Sequence, residues 1–234
     1  LRALPRDAQQ LWEQLQPSGS IDNVQLTVRR GEQATGPEIE VLLHEERKRN
    51  FETDQSLRFY PKPIPFWLSD VACDIKYRPG IVEILHASAV NGDSRLAVVG
   101  TCRKENDSKW TCDLQWQPTT RLIVDSQLMQ ALPEAMRGIL SKIDLRGPVS
   151  AIGTSRFSFL PERPQDMTSG WDLQLDVEDI QLGATNLASG IRGTIWSAGL
   201  KDPKRVALSG RVAIDAMTVR KVPISNLIGP YAIV

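Results

Sequence analysis

The sequence predicts a mostly β protein whose strands form an antiparallel sheet, and three observations support this prediction. Apolar and polar residues alternate with a period of two along several segments, only two short stretches show helical spacing, and the same short motifs recur along the chain. Such alternation gives each strand one apolar and one wet face, which is typical of antiparallel sheets. At 234 residues the chain can bury a sizeable core, as one large β domain or two small ones.

The alternation is clearest in three segments, near residues 23–28, 38–43 and 172–177. Asn, Gln, Thr, Glu and Asp occupy most positions between the apolar ones, with Leu42 as an exception. Two further strands are expected on either side of a polar turn between residues 102 and 112. The apolar positions of the three segments are Val24, Leu26, Val28, Ile39, Val41, Leu43, Leu173, Leu175 and Val177. We expect these side chains to lie on the apolar faces of their strands.

Two short amphipathic helices are expected at about residues 6–16 and 126–143. In the first, Leu11, Trp12 and Leu15 fall on one helical stripe, and the leading proline is tolerated in a first helical turn. The two stretches correspond at an offset of 132 − 4 = 128 residues, which pairs Leu4 with Leu132, Pro5 with Pro133, Leu11 with Ile139, Trp12 with Leu140, Leu15 with Ile143 and Gly19 with Gly147. We therefore expect one short helix to open each of two repeats.

A second motif occurs three times and defines the expected repeats. It reads apolar, Ser, small polar or Gly, apolar, any residue, then Gly or Cys, and its copies are residues 68–75, 188–195 and 224–231. The first two copies are 188 − 68 = 120 residues apart. We expect a first repeat over 1–125, a second over 126–219 and the start of a third over 220–234. Because the third copy begins a repeat that the chain does not finish, we expect the chain to be a fragment of a longer protein.

Cys102 and Cys112 flank a polar turn and leave two alternatives open. Both lie five residues from Asp107, so a hairpin symmetric about Asp107 places them directly opposite each other. Opposed Cβ atoms in a regular ladder are about 4.5–5.5 Å apart, slightly wider than the roughly 3.8 Å of a disulfide. The pair can therefore be two small hydrophobic residues or a disulfide, and a disulfide would indicate an oxidising compartment.

Several functional classes are disfavoured by composition and spacing. Lys plus Arg and Asp plus Glu both total 28 and are interleaved, as in residues 44–49, so the basic face that nucleic-acid binding needs is missing. No CxxC occurs and the two histidines are far apart, which disfavours a metal site. Asp172 and Asp176 occupy the polar face of a strand and form no acid–base pair. We expect no catalytic site, no enzyme activity and no cofactor.

The motifs resemble those of the AsmA-like superfamily, which includes the TamB-type envelope proteins of double-membraned bacteria. The resemblance is carried by the opening from Leu4 to Gly19 and by the stretch from the corner Phe59-Tyr60-Pro61 through Tyr77. Cys73 stands where the family has a glycine, which Gly193 and Gly229 keep. These motifs are structural, so the resemblance assigns no functional residue.

The resemblance implies a long curved antiparallel β-sheet, folded like a taco and built from repeated units. It implies a periplasmic segment of a bridge-like protein, anchored in the inner membrane outside this fragment, that carries phospholipid or another acyl-chain lipid towards the outer membrane. The nine apolar strand residues named above then become candidates for a lipid groove. Burial of hydrocarbon is worth about 0.8 kcal/mol per CH₂, which needs no specific polar contacts.

Three alternatives stay open at this stage. A closed β-sandwich with a filled core would show the same alternation of apolar and polar residues. A structural or protein-binding scaffold for envelope or outer-membrane protein assembly would use exposed sheet edges to bind envelope proteins. A glycan-handling enzyme on a β scaffold is disfavoured because no paired catalytic carboxylates stand out.

Overall fold

The computed structural model describes residues 6–19, 23–29, 38–44, 57–62, 66–105, 109–131, 137, 144–183, 187–202 and 204–233. Within these residues the elements follow one another as α1 Arg6–Leu15, β1 Asn23–Arg29, β2 Glu38–His44, β3 Ser69–Arg78, β4 Ile81–Asn91, β5 Ser94–Lys104, β6 Trp110–Trp116, β7 Arg121–Val124, α2 Ser126–Ala131, β8 Leu145–Leu160, β9 Arg163–Leu182, β10 Ala188–Lys201, β11 Val206–Val219 and β12 Val222–Ile233. All twelve strands belong to one antiparallel sheet. The prediction of a mostly β, antiparallel fold is confirmed.

The sheet is a meander in which consecutive strands are neighbours. Its order is β1-β2-β3-β4-β5-β6-β8-β9-β10-β11-β12, and β7 takes over the place of β6 between β5 and β8. Tight turns enforce this order. The turn between β11 and β12 has two residues, Arg220 and Lys221, with φ of 48° and 71°. Positive φ at both central residues is the hairpin geometry that matches the twist of the flanking strands.

The pairing of neighbouring strands places apolar residues opposite one another on one face of the sheet. From β1 to β8, directly paired residues on this face include Val28, Ile39, Tyr77, Val82, Cys102, Cys112 and Phe157. The adjacent positions on the opposite face include Lys76, Glu83, Thr101, Asp113 and Arg156. Along these paired positions from β1 to β8, one side of the sheet is therefore apolar and the other polar, and these sides line up from strand to strand.

Three buried clusters lie on the apolar face. The first joins strands β7 to β11, and Leu128 and Met129 of α2 pack against it. In the second, Trp12 and Leu15 of α1 pack against buried residues that include Phe59, Val71 and Cys73. The third surrounds the fully buried Trp110 and consists of Cys102, Trp110, Cys112, Phe159 and Met167. The helices thus cover only parts of the sheet.

Both predicted helices begin where the sequence placed them. α1 ends one residue before the expected position, because the backbone amides of Tyr60 and Lys62 donate to the carbonyl oxygens of Leu15 and Gln14 and satisfy the helix end. The Asp125 carboxylate accepts from the amides of Gln127 and Leu128 and caps the start of α2. Most of the predicted second helix beyond Ala131 lies outside the described residues.

Uncommon backbone conformations recur at the positions that the two sequence offsets equate. Gln16 and Asp144, 128 residues apart, have φ of 45° and 44°. In the second motif, the residue after Ser is Asp70, Gly190 or Asn226, and φ is 50°, 63° and 56° at these positions. Positive φ is uncommon for residues other than glycine. Each of these matched positions therefore has the same uncommon sign of φ.

Candidate functional site

An apolar surface lies on strands β6 and β8 to β12, next to the buried cluster against which α2 packs. Three neighbouring register lines define it, and we call it the central apolar stretch. Its sixteen residues are Leu114, Trp116, Ala151, Gly153, Ser155, Trp171, Leu173, Leu175, Ile195, Ser197, Gly199, Leu208, Gly210, Val212, Gly229 and Tyr231. None of them is charged, so the stretch offers a neutral surface that crosses six strands.

Most of the central apolar stretch is only half-buried. Ala151 and Ser155 are buried, and every other member is intermediate in exposure. Val177, which belongs to the cluster that α2 contacts, is 6% exposed by comparison. Neighbouring strands shield a side chain laterally, whereas full burial needs a layer above it. The half-burial therefore indicates that α2 and the described turns leave this part of the apolar face accessible.

Two tryptophans in the stretch use their polar groups within the sheet. Trp171 Nε1–H donates to Ser197 Oγ at 3.1 Å, and Trp116 Nε1–H donates to Ser155 Oγ at 2.8 Å. The Trp171 ring lies so close over Gly199 that a Cβ atom at this glycine would be 2.3 Å from a ring carbon. Gly199 therefore provides the space in which the indole lies across the neighbouring strand.

The residues next to the stretch mark its limits. Lys201 follows Gly199 on the same face of β10, and its Nζ donates to the carbonyl oxygen of Met167 at 3.1 Å. On the side of α1, Gln14 Nε2 donates to the carbonyl oxygen of Pro161 at 3.0 Å, in the turn between β8 and β9. This bond joins a helix that packs on β3 and β4 to the end of a distant hairpin.

The structure separates the nine groove candidates into different environments. Leu173 and Leu175 are half-buried members of the central apolar stretch, Ile39 and Val177 are buried at 6% exposure, and Val28 is 59% exposed at an edge strand. Val24, Leu26, Val41 and Leu43 lie in β1 and β2, but their side chains are outside the described part of the chain. Of the five candidates whose side chains are described, two lie on the central apolar stretch.

Sequence reasoning did not include the tryptophan–serine pairs among the candidates. Trp116 and Trp171 stand at apolar positions of their strands, so alternation alone indicates their face. Ser155 and Ser197 are polar residues at otherwise apolar positions of their strands. Each accepts a hydrogen bond from a tryptophan that is diagonal to it on the neighbouring strand, and this partner is not visible within one segment. The register that brings these partners together is not encoded in any one segment.

The polar face of the described strands carries ion pairs. Arg156 Nε donates to Asp113 Oδ1 at 2.5 Å, and this hydrogen bond, together with the charge of Asp113, raises the pKa of Arg156. A shallow concavity of about 620 Å³ surrounds this pair and includes Asp172 and Leu200. Among the described residues, no group of three or more His, Cys, Asp or Glu side chains could hold a metal ion.

The three cysteines have two different states. Cys102 and Cys112 are direct partners in the β5–β6 ladder and form a disulfide. Cys73 is free and buried, and burial, followed by the nearby charge of Asp74, raises its pKa to about 11. The disulfide is in the same buried cluster as Trp110 and Phe159, so it belongs to the packed part of the apolar face.

We expect the native chain to show no thiol reactive towards a disulfide reagent at pH 8. The raised pKa keeps Cys73 protonated, and the thiolate is the nucleophile. Denaturation without reductant should expose one thiol, and reduction before denaturation should expose all three. A count of three in denaturant alone would contradict the disulfide. The pKa of the Cys73 thiol is higher in the folded chain than in the unfolded chain, because burial disfavours the thiolate. The free energy of unfolding should therefore fall as pH rises from about 9 towards 11, where only the unfolded chain ionises readily.

Comparison with protein-family profiles, curated proteins and solved structures gives no match for this chain. Within the described ranges, no helix is long and apolar enough to cross a membrane. The candidate site therefore rests on its own geometry, an uncharged and half-buried apolar surface with internally bonded tryptophans.

Proposed function

We propose that this chain is a segment of a periplasmic bridge-like protein that carries phospholipid between the inner and outer membranes along its apolar β-face. The observation that carries the proposal is the central apolar stretch, sixteen uncharged residues of which fourteen are half-buried. On the order of 10 kcal/mol is available from burying an acyl chain of about 16 carbons. Such a surface holds hydrocarbon without catalytic or charged groups.

The hydrogen bonds of the stretch also favour hydrocarbon as the ligand. An acyl chain accepts and donates no hydrogen bonds, so an unpaired donor facing it loses water without compensation, at a cost of roughly 2–7 kcal/mol. Trp116 and Trp171 avoid this cost, since Ser155 and Ser197 accept from their indole N–H groups. A surface for polar ligands would instead direct these donors outwards.

A curved sheet with the apolar face inside would make this surface a trough, and one long-range contact supports that shape. α1 packs on the apolar face near β3, whereas Pro161 lies in the turn between β8 and β9. In a flat sheet, β3 and β8 are four strand spacings apart, about 19 Å. The bond between Gln14 and Pro161 is accommodated if the sheet curls towards its apolar side.

Repetition of units would lengthen this surface in the parent protein. The matched φ values at Gln16 and Asp144, and at Asp70, Gly190 and Asn226, support repeats over 1–125, 126–219 and 220–234. The disulfide is consistent with the oxidising periplasm. In this proposal, segments outside the chain anchor the parent in the inner membrane.

The test is the phospholipid content of the purified chain, measured by mass spectrometry of organic extracts. We expect Leu173→Glu combined with Leu208→Glu to remove most co-purified phospholipid, because both substitutions place a charge on the apolar face. The control is Thr168→Glu combined with Ser209→Glu, which adds the same charge to the same strands on the polar face. Circular dichroism checks that both variants fold. Equal lipid content in the two variants, or none in the native chain, would contradict the proposal.

A protein-binding scaffold for envelope or outer-membrane protein assembly is the second candidate, and strand β12 favours it. Val222, Leu227 and Ile228 of this edge strand are between 44% and 59% exposed. An added strand would cover them and pair with the free edge. Pro223 and Pro230 remove two backbone donors from β12, which weakens such pairing. Recovery of a β-barrel protein instead of phospholipid in a pull-down would favour this candidate.

A further inference from the structure

The two tryptophans of the central apolar stretch differ from the other aromatic residues of the sheet. Trp116 and Trp171 are half-buried, and each has its N–H bonded to a serine of the next strand. Trp110 is fully buried and cannot reach a ligand. Trp196 is 40% exposed but lies on the polar face, where Arg211 stands over its ring at 5.9 Å. Only Trp116 and Trp171 present an indole on the central apolar stretch itself.

Each tryptophan donates to a serine that is diagonal to its direct partner, so each indole N–H is directed along the neighbouring strand. Gly199 of β10 is the residue paired directly with Trp171, and the Trp171 ring covers it. The Trp171 N–H donates to Ser197, which lies two residues before Gly199 on the same strand. Trp116 reaches in the same way from β6 to Ser155 on β8, diagonal to its direct partner Gly153. A ring that lies along the sheet presents its face and not its polar edge to a ligand. Indole faces bind apolar chains through large contact area.

We infer that Trp116 and Trp171 form a defined acyl-chain contact site on the apolar face, with Ser155 and Ser197 as positioning residues that hold the rings flat. The inference rests on the proposed lipid-carrying function and adds to it a location and the residues that touch the ligand. The occupant is a hydrocarbon chain, because the stretch has no charge and the indole donors are already used. A polar or charged ligand would find no partner among these residues.

Tryptophan fluorescence tests the site directly. The chain is loaded from phosphatidylcholine vesicles whose acyl chains carry bromine, separated from the vesicles, and compared with chain loaded from the unbrominated lipid. Bromine quenches an indole only at close approach. We expect clear quenching of the native chain, loss of most of this quenching when Trp116→Phe and Trp171→Phe are combined, and unchanged quenching with Trp196→Phe, the control on the polar face.

The outcomes separate this inference from the function on which it rests. Bound brominated lipid with no difference between the two sets of variants would overturn the tryptophan site and leave lipid carriage standing. Loss of quenching with Trp196→Phe would place the lipid on the polar face and would also overturn the site. Absence of bound lipid from the native chain would contradict the proposed function itself, and the site with it.

The serines provide a second test that does not remove an aromatic ring. Ser197→Ala leaves the Trp171 N–H without its acceptor, so we expect weaker quenching and less bound phosphatidylcholine, with unchanged circular dichroism. Ser197→Thr keeps the hydroxyl and should restore both. Ser209→Ala, on the exposed polar face of β11, is the matched control. Equal lipid binding by Ser197→Ala and Ser209→Ala would contradict a positioning role for Ser197.

Discussion

Replacement of Trp110 by alanine is expected to lower the free energy of unfolding by about 3–5 kcal/mol, the usual range for a fully buried aromatic residue. Trp110 is 0% exposed and lies at the centre of the cluster formed with the disulfide, Phe159 and Met167. The cavity left by alanine would be bounded by central strands of the sheet, which cannot collapse without breaking their ladders. Urea denaturation followed by circular dichroism measures the loss.

Trp110→Phe is the matched variant, and a much smaller effect is expected. In the described part of the chain the buried Trp110 Nε1 has no hydrogen-bond partner. Phenylalanine keeps most of the ring volume and removes this donor, whose unpaired burial costs roughly 1–3 kcal/mol. The free energy of unfolding should therefore change by less than about 1.5 kcal/mol. Similar losses for the alanine and phenylalanine variants would show that packing around the ring does not dominate.

The strand pattern of the sheet was predictable because its signal is local. Alternation at Leu173, Leu175 and Val177 depends only on which side chains a strand points to one face. The Cys102–Cys112 pairing was predictable to the same extent, because a short hairpin fixes which residues oppose each other. Whether that pair forms a bond was left open by the sequence, since regular ladder spacing is slightly wide for a disulfide.

The division of the apolar face into covered and accessible parts could not be predicted in this way. Val177 and Leu175 are two residues apart with the same hydropathy, yet only Val177 is buried. Val177 belongs to the cluster against which Leu128 and Met129 of α2 pack, and the position of α2 depends on the β7–α2 connection and on packing between residues distant in sequence. Likewise, the half-exposure of Trp171 depends on how far α2 and the described turns extend over the sheet, which no local pattern records.

The glycines of the repeated motif lead to the second large prediction. Gly193 has φ of 152°, and a Cβ atom there would lie 2.2 Å from the carbonyl oxygen of Ala213 on the next strand. At the matched position, a Cβ atom added to Gly229 would meet no atom within 4 Å, and φ is not positive there. The first copy carries Cys73 instead. The requirement for glycine is therefore confined to one of the three copies, where β10 approaches β11 too closely for a side chain.

We expect Gly193→Ala to lower the free energy of unfolding by about 3 kcal/mol or more, because neither the backbone conformation nor the contact with Ala213 can relax without breaking the ladder. Gly229→Ala should change it by less than about 0.5 kcal/mol, since the site is unobstructed. Gly190→Asn is a further control, because Asn226 occupies the matched position at nearly the same φ. The cost there should stay below about 1 kcal/mol, since asparagine tolerates this conformation. If Gly193→Ala and Gly229→Ala unfold at the same urea concentration, the close approach of β10 and β11 at Gly193 is wrong.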